Sequence, residues 1–269
     1  MKVPPWMCTY SYCGWKVFKI FPLYGSDENL AEGSYVKIVL KLGGSVAAPT
    51  MANLDYIKRV SSEVRCLVER KHRLGVVVGG GPVAREYIRL GRQLGAGEAW
   101  LDILGIEVAR VNARVFILGL GGLAYPEPVV SYAQASSLLR LGVVPVMGGT
   151  HPGQSTDAVA ATLAECVDAD LLVMVSDVNG VYSEDPKKSR EAVKFDYISY
   201  DELLDLVSTS KCVAGVSTVV DPLAARIIKR AGMDTLILGR EDSEKLSKIV
   251  LGEEEHSGTR IGQKPSRMV

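Results

Sequence analysis

The chain has 269 residues, of which 47% are hydrophobic, and it carries 31 basic and 31 acidic side chains. This length and apolar content indicate a globular protein with one large domain or two small ones. A net charge of zero argues against a broad basic surface for nucleic acid, and the longest uncharged apolar run, Val115–Tyr125, is too short to span a bilayer. We therefore expect neither nucleic acid nor a membrane as a partner.

Five cysteines and three histidines are scattered along the chain without the spacing of a metal site. There is no CxxC pair, and an odd number of cysteines leaves one unpaired. This usage is typical of reduced thiols, so we expect a cytoplasmic protein that binds no zinc or iron directly.

Residues 1–34 differ from the rest, with three prolines, two of the three tryptophans and no clear hydrophobic period. Lysines interrupt the apolar part of this stretch, which argues against a secretory signal. Two interpretations stay open: an appended arm that packs on the body or on a neighbour, and upstream sequence read from a wrongly chosen start. We assign 1–34 as an extension of unknown role, with disorder as one prediction, 35–262 as one domain and 263–269 as a polar tail.

From Tyr35 onward, short apolar strands alternate with helical periods. We predict strands at 36–40, 75–78, 143–147, 171–175 and 235–238, and helices at 54–72, 82–94, 99–118, 156–167 and 222–231, with a polar helix from about 243. Strand, glycine turn and helix in repetition indicate an α/β protein with a mainly parallel sheet. Ligands of such sheets lie at the carboxyl ends of the strands, where the glycine turns also lie.

The first glycine turn directly follows the first strand and consists of Lys41, Leu42, Gly43, Gly44 and Ser45. Glycine lets backbone N–H groups face an anion, and a lysine in the same turn suits phosphate oxygens. The plainer alternative is a tight turn with a solvated lysine. The spacing matches neither a Walker loop nor GxGxxG.

The second glycine turn joins a strand to a helix through Gly79-Gly80-Gly81-Pro82. Three glycines at the start of a helix bring unpaired N–H groups and the helix dipole to one point. Arg85 lies about one turn into this helix, within reach of a phosphate. A close-packed turn needs fewer glycines, so we favour a phosphate-binding role.

The loop after the third strand holds many donors and no charge until Asp157; its members are Gly148, Gly149, Thr150, His151, Pro152, Gly153, Gln154, Ser155 and Thr156. Such a loop suits a polar ligand. Asp157 is either a helix N-cap or a carboxylate that orients the lysine or bridges to Mg²⁺. Transfer to a phosphate acceptor needs no strong base, so His151 is a loop contact at most.

The loop at 176–186 follows the fourth strand and presents Ser176, Asp177, Tyr182 and Asp185. Asn-Gly and Asp-Pro dipeptides form turns, so a hairpin and a loop for a purine, its ribose and magnesium are equally good interpretations. Asp102 on the third helix is by default a solvated acid, and Asp221 is expected to cap the helix that starts at Pro222.

With these motifs in place, residues 36–262 resemble the amino acid kinase family, and within it the UMP kinases of the archaeal type. The resemblance rests on LKLGGSV, VVVGGGPVAREY, PVMGGTHPGQSTDAVAA, DVNGVYSEDP and DPLAARI. It implies a three-layer α/β/α sandwich, transfer of the γ-phosphate of ATP to UMP, Mg²⁺ carried by ATP rather than by protein ligands, and a homohexamer built from dimers.

The resemblance also assigns roles to residues. Lys41, Asp157 and Arg85 would be catalytic, with Asp157 organising the lysine. The ATP site would consist of Lys41, Leu42, Gly43, Gly44, Ser45, Gly81, Arg85, Ser176, Asp177, Tyr182 and Asp185. The UMP site would consist of Gly80, Asp102, Thr150, His151, Pro152, Gly153, Gln154, Ser155 and Thr156.

The chain departs from the family in lacking a second lysine before the late helix, where it reads Ser217-Thr218-Val219-Val220-Asp221. Other kinases of this fold act on isopentenyl phosphate or an amino-acid carboxylate, and they usually place a histidine where this chain has Val78. A non-catalytic nucleotide sensor or storage subunit is a further alternative. The presence of Lys41, Arg85 and Asp157 argues against it.

Overall fold

The computed structural model describes residues 35–48, 50–209 and 220–263. The predicted extension at 1–34, most of the tail and Ser217–Val219 lie outside the described residues. The strands of the described part, β1 to β9, are Lys37–Leu42, Arg73–Val78, Val146–Met147, Leu171–Val175, Val181–Tyr182, Lys194–Phe195, Tyr197–Ser199, Thr235–Leu238 and Thr259–Gly262. The α-helices of the same part, α1 to α9, are Leu54–Glu69, Gly81–Gln93, Glu98–Leu120, Tyr132–Arg140, Thr156–Cys166, Tyr200–Thr209, Pro222–Ala231, Arg240–Ser243 and Leu246–Val250.

Seven of the described strands form one sheet in the order β3-β2-β1-β4-β8-β9-β7. The five strands from β3 to β8 are parallel, whereas β9 runs antiparallel to β8 and pairs in parallel with β7. β5 and β6 form a separate antiparallel pair. The predicted mainly parallel sheet is confirmed, with two strands at one edge, β9 and β7, that run opposite to the other five.

The helices cover both faces of the sheet because alternate strand residues point to opposite sides. Ile38 and Leu40 of β1 belong to a core shared with α1, α3 and α9, whereas Val39 belongs to a core shared with α4, α5, α6 and α7. These two cores make the three-layer α/β/α sandwich. α2 packs outside this arrangement, against α3.

Several predicted boundaries are corrected. The third strand is confined to β3, because Pro145 has no N–H to give to a ladder, although Val144 still forms an isolated bridge with Ala124. α1 ends at Glu69 rather than at residue 72, and Lys71 adopts a left-handed φ of 71°. The polar helix expected from 243 is two short helices, α8 and α9. α4 and α6 were not predicted.

Candidate active site

The carboxyl ends of β1, β2 and β4 surround an open cavity of about 210 Å³. Its lining is mostly polar. The lining residues come from all four loops identified in the sequence. The lining residues are Lys41, Gly43, Gly44, Ser45, Val46, Gly79, Gly80, Gly81, Arg85, Ser155, Thr156, Asp157, Ser176 and Asp177.

The two glycine turns meet backbone to backbone at the centre of this cavity. A Cβ atom on Gly44 would stand 2.1 Å from the nitrogen of Gly81, and one on Gly81 would stand 2.2 Å from the carbonyl oxygen of Gly44. Gly81 also has a φ of +68°, which disfavours any other residue. Glycine at both positions therefore brings the two turns to a single point.

Lys41 lies between the turns and forms an ion pair with Asp157, with 2.5 Å between Nζ and Oδ1. The two side chains are only 12% and 14% exposed, so solvent screens this pair weakly. Asp157 is not the cap of α5: the Ser155 hydroxyl accepts from the N–H groups of Asp157 and Ala158 and is the N-cap. This leaves the Asp157 carboxylate available to orient the lysine.

Arg85 lies in the first turns of α2, which follow the second glycine turn, and it also lines the cavity. Its guanidinium donates a 3.2 Å hydrogen bond to the Ser45 hydroxyl. An arginine held on a neutral hydroxyl keeps its charge available to an anion in the cavity. Lys41 and Arg85 thus both provide positive charge in the cavity lining.

The loop after β3 packs against α3 and α4. Asp102 accepts a 2.8 Å hydrogen bond from the N–H of Gly153, so this helical acid contacts the loop rather than solvent alone. The Thr150 hydroxyl donates to Gln154 at 3.0 Å and lies 3.3 Å from the Tyr132 hydroxyl. His151, Pro152 and Gly153 are exposed at the loop's surface. Ser155 also donates to Asp221, which caps α7 as predicted.

The loop after β4 places Ser176 and Asp177 in the cavity wall and Tyr182 and Asp185 farther along. Asp177 pairs with Lys187 at 2.5 Å. Burial opposes the charge of Asp177, but the Lys187 ammonium outweighs it and lowers the pKa of this carboxyl. Asp185 accepts from the N–H of Lys187. β5 and β6 form an antiparallel hairpin whose connection, 183–193, contains the Asp-Pro dipeptide, whereas the Asn-Gly dipeptide lies before β5.

Nine of the expected site residues are not part of the cavity lining: Leu42, Asp102, Thr150, His151, Pro152, Gly153, Gln154, Tyr182 and Asp185. Among them, Leu42 has its side chain in the core. Leu42 is fully buried in the core shared with α1, and only its carbonyl contacts the second turn, accepting from the N–H of Gly79 at 3.0 Å. Leu42 ends β1 with its side chain on the α1 side, as the alternation of the strand requires. Any contact between Leu42 and ATP would therefore come from its backbone, and its place in the ATP site stays a prediction.

Three polar residues near the site were not identified from the sequence: Arg110, Asn112 and Lys187. Arg110 donates to the carbonyl of Gly149 at 3.1 Å, and Asn112 donates to the carbonyls of Gly79 and Gly80. The carbonyl partners of Arg110 and Asn112 are more than 30 residues away from them in the chain, whereas the partner of Lys187 is nearer. A carboxamide in the buried stripe of an apolar helix was the available signal for Asn112.

A parallel sheet whose strand ends carry two abutting glycine turns, a largely buried lysine–aspartate pair and an arginine on a neutral hydroxyl is typical of α/β proteins that bind phosphate groups. The profile of the amino acid kinase family matches residues 36–239. The chain belongs to the amino acid kinase family.

The similar proteins include archaeal enzymes that align over nearly their whole length. A uridylate kinase of Pyrococcus abyssi is 44% identical over 226 residues, which cover 84% of this chain and 99% of that protein. A uridylate kinase of Methanocaldococcus jannaschii is 46% identical over 213 residues, or 79% and 94% of the two chains. The crystal structure of uridylate kinase from Archaeoglobus fulgidus matches with a TM-score of 0.73 at 39% identity, covering 84% and 100%.

Proposed function

We propose that this chain is a UMP kinase, which transfers the γ-phosphoryl group of ATP to the phosphate of UMP and yields ADP and UDP. The observation that favours UMP as the acceptor is the alignment with the P. abyssi uridylate kinase over 99% of that enzyme. The meeting of two phosphate-type turns at Gly44 and Gly81 supports it, since two phosphate-bearing ligands need such a point of contact.

We assign the donor to the side of the cavity formed by the first turn and the loop after β4. Lys41, Gly43, Gly44 and Ser45 would hold the ATP phosphates together with Gly81 and Arg85. Ser176, Asp177, Tyr182 and Asp185 would hold the base and ribose. Leu42 would contribute to this site only through its backbone.

We assign the acceptor to the side formed by α3 and the loop after β3. Gly80 and Thr150–Thr156 would surround the UMP phosphate and base, with His151 as a contact and not as a base. Asp102 would accept hydrogen bonds from the ribose hydroxyls with the carboxylate that already holds Gly153.

Catalysis would then consist of positioning and charge stabilisation. The UMP phosphate is already an anion, so no residue needs to remove a proton from it before attack. Lys41, oriented by Asp157, and Arg85 would stabilise the negative charge on the moving phosphoryl group, which is the main contribution that proteins make to this reaction.

The chemistry of the site fits a magnesium ion carried by ATP. The described residues contain no group of three or more His, Cys, Asp or Glu side chains arranged to hold a metal. Asp157 and Asp177 each already contact a lysine ammonium. Mg²⁺ usually relies on substrate phosphates with one or two carboxylates, and here it would neutralise phosphate charge.

We also propose that the chain forms dimers that assemble into a homohexamer. α3 exposes a row of large apolar side chains, among them Trp100, Val111 and Leu118, which are 69%, 60% and 77% exposed. An apolar surface of this kind on one helix is typical of a protein interface. A second copy of the chain would cover it.

Within the described part of the chain, no helix combines the length and hydrophobicity needed to cross a membrane. We propose a cytoplasmic protein. Cys66 and Cys166 are free thiols, as is usual in that reducing compartment.

The proposed activity is tested by measuring ADP release from ATP in the presence of UMP, CMP, isopentenyl phosphate or an amino acid. We expect turnover with UMP and much less with the other three. Turnover with isopentenyl phosphate or an amino acid instead would identify another kinase of this fold. Nucleotide binding without any turnover would identify a sensor.

We further propose that 35–262 is the catalytic unit and that 1–34 and 263–269 are appended to it. The test compares UMP-dependent ADP release by the full chain and by a chain that starts at Tyr35. Equal turnover per folded protein is expected. A loss of activity in the shorter chain would assign the extension a part in the enzyme.

A further inference from the structure

Asn112 lies near the middle of α3 and is 4% exposed. Its side-chain nitrogen donates to the carbonyl oxygen of Gly79 at 2.8 Å and to that of Gly80 at 3.0 Å. Both acceptors are carbonyls, so the NH₂ end of the carboxamide must face them. One buried side chain therefore holds two consecutive peptide groups of the second glycine turn.

This contact determines where two N–H groups point. In a trans peptide group the N–H and the C=O are directed to opposite sides. The carbonyl of Gly79 shares its peptide group with the N–H of Gly80, and the carbonyl of Gly80 shares its own with the N–H of Gly81. Because Asn112 draws both carbonyls toward α3, both N–H groups are directed away from α3, toward the cavity that Gly80 and Gly81 line.

The backbone conformation of the turn agrees with this arrangement. Gly80 is in the right-handed region, with φ −76° and ψ −30°, and Gly81 follows with a φ of +68°. A right-handed residue followed by a left-handed one forms a concave set of N–H groups that binds anions. Gly81 also begins α2, and the first N–H groups of a helix have no acceptor within it.

We propose that Asn112 is a positioning residue that holds the N–H groups of Gly80 and Gly81 in the orientation that binds phosphate. It acts through the two carbonyls and from the far side of the turn, away from the cavity. Three successive glycines leave the turn many other conformations, and the Asn112 contact selects one of them. The proposal adds a positioning residue to the proposed UMP kinase. It depends on that function only for the identity of the phosphate compound that binds.

The test uses the full chain and inorganic tripolyphosphate as the probe, with binding measured by calorimetry. N112L keeps the number and branching of the side-chain heavy atoms and removes both donors, so we expect tripolyphosphate to bind at least about tenfold more weakly, as for the loss of one charge-assisted hydrogen bond. N112D places carboxylate oxygens against two carbonyl oxygens and should bind still more weakly. Adenosine, which has no phosphate, should bind all forms equally.

The matched control is T235V. Thr235 is fully buried and donates to the carbonyl of Met233 at 3.0 Å, at the opposite end of the sheet. This variant also loses a buried bond from a side chain to a carbonyl, but tripolyphosphate binding should be unchanged. Wild-type affinity in folded N112L, or an equal loss in T235V, would overturn the proposal.

A second measurement covers the case in which the Asn112 variants do not fold. In the wild-type chain labelled with ¹⁵N-glycine, tripolyphosphate should shift the amide resonances of Gly80 and Gly81. Binding without a shift at either residue would overturn the proposal. A wild-type protein that binds tripolyphosphate through these amides but has no UMP turnover would instead contradict only the proposed function.

Discussion

Lys41 and Asp157 form a direct ion pair in the cavity wall with little access to solvent, so water screens their charges weakly. For the K41A variant we expect kcat to fall at least about 10²-fold with little change in the KM for UMP, because this charge acts mainly on the transition state. Steady-state kinetics with ATP and UMP measure both values.

The control for this variant is K229A. Lys229 forms an ion pair with Asp201 at the same 2.5 Å, but the two side chains are 45% and 78% exposed. Pairs of this kind contribute little, so K229A should keep wild-type kinetics. A K41A enzyme with wild-type kcat would show that Lys41 has no role in the transfer.

A variant of Asp102 tests which side of the cavity binds UMP and which binds ATP. Removing its carboxylate in D102A frees the N–H of Gly153 and also removes the proposed acceptor for the ribose hydroxyls of UMP. We expect the KM for UMP to rise about tenfold, the cost of one hydrogen bond to a charged group, while the KM for ATP stays constant. E98A, which changes an acid in the first turn of the same helix, is the control. An increase in the ATP KM alone would reverse the two sides.

Among the elements, the contact between the glycine turns is specified by backbone geometry. Gly81 and Gly95 both have left-handed φ values, +68° and +83°, but only a Cβ on Gly81 would meet the other turn. G95A should lose roughly 1–2 kcal/mol of stability from backbone strain, and G81A should lose more, because its Cβ also meets the backbone of Gly44. Only G81A should also lose about 10² or more in kcat/KM, as measured per folded enzyme. A similar loss of activity in both variants would assign the effect to strain alone.

Two histidines make the stability of the fold depend on pH. Burial lowers the pKa of His72 below 6.5, with a further contribution from Arg70, and its Nδ1 accepts from the N–H of Val36 at 3.2 Å. Burial lowers the pKa of His256 in the same direction. The unfolded chain therefore binds more protons than the folded chain just below pH 6.5, and the fold loses stability as the pH falls through this range.

The measurement is the free energy of unfolding in urea at about pH 7.5 and about pH 5.5. The wild-type protein should be less stable at the lower pH, and H72Q should lose part of this difference. H72Q/H256Q should lose more of it. An unchanged pH dependence in the double variant would contradict this account.

The sequence predicts the parallel strands and their helices well, because continuous apolar runs and helical periods are local signals. It does not predict α4, whose nine residues include Ser136 and Ser137 and bury only Ala135 and Leu139. It also leaves the meeting of Gly44 with Gly81 and the contacts of Asn112 undetermined. These depend on pairs of residues more than 30 positions apart, and no local pattern specifies which loops the sheet brings together.

For the whole molecule, the exposed apolar row of α3 predicts an oligomer. L118E introduces a charge into this row and should convert the assembly into smaller species, as measured by light scattering after size exclusion. The control is V193E, since Val193 is also well exposed, at 63%, but lies in the loop before β6. A wild-type protein that runs as a monomer would contradict the proposed hexamer.

The loop after β4 depends on residues close to the end of the domain. The N–H of Val181 donates to the Thr259 hydroxyl at 2.7 Å, and the Asn179 side chain donates to the Ser257 hydroxyl at 2.7 Å. During translation, β1, β2 and β4 leave the ribosome some 80 residues before these partners. The loop after β4 can therefore form these two contacts only when synthesis of the domain is almost finished, and products of premature termination before Ser257 would lack both.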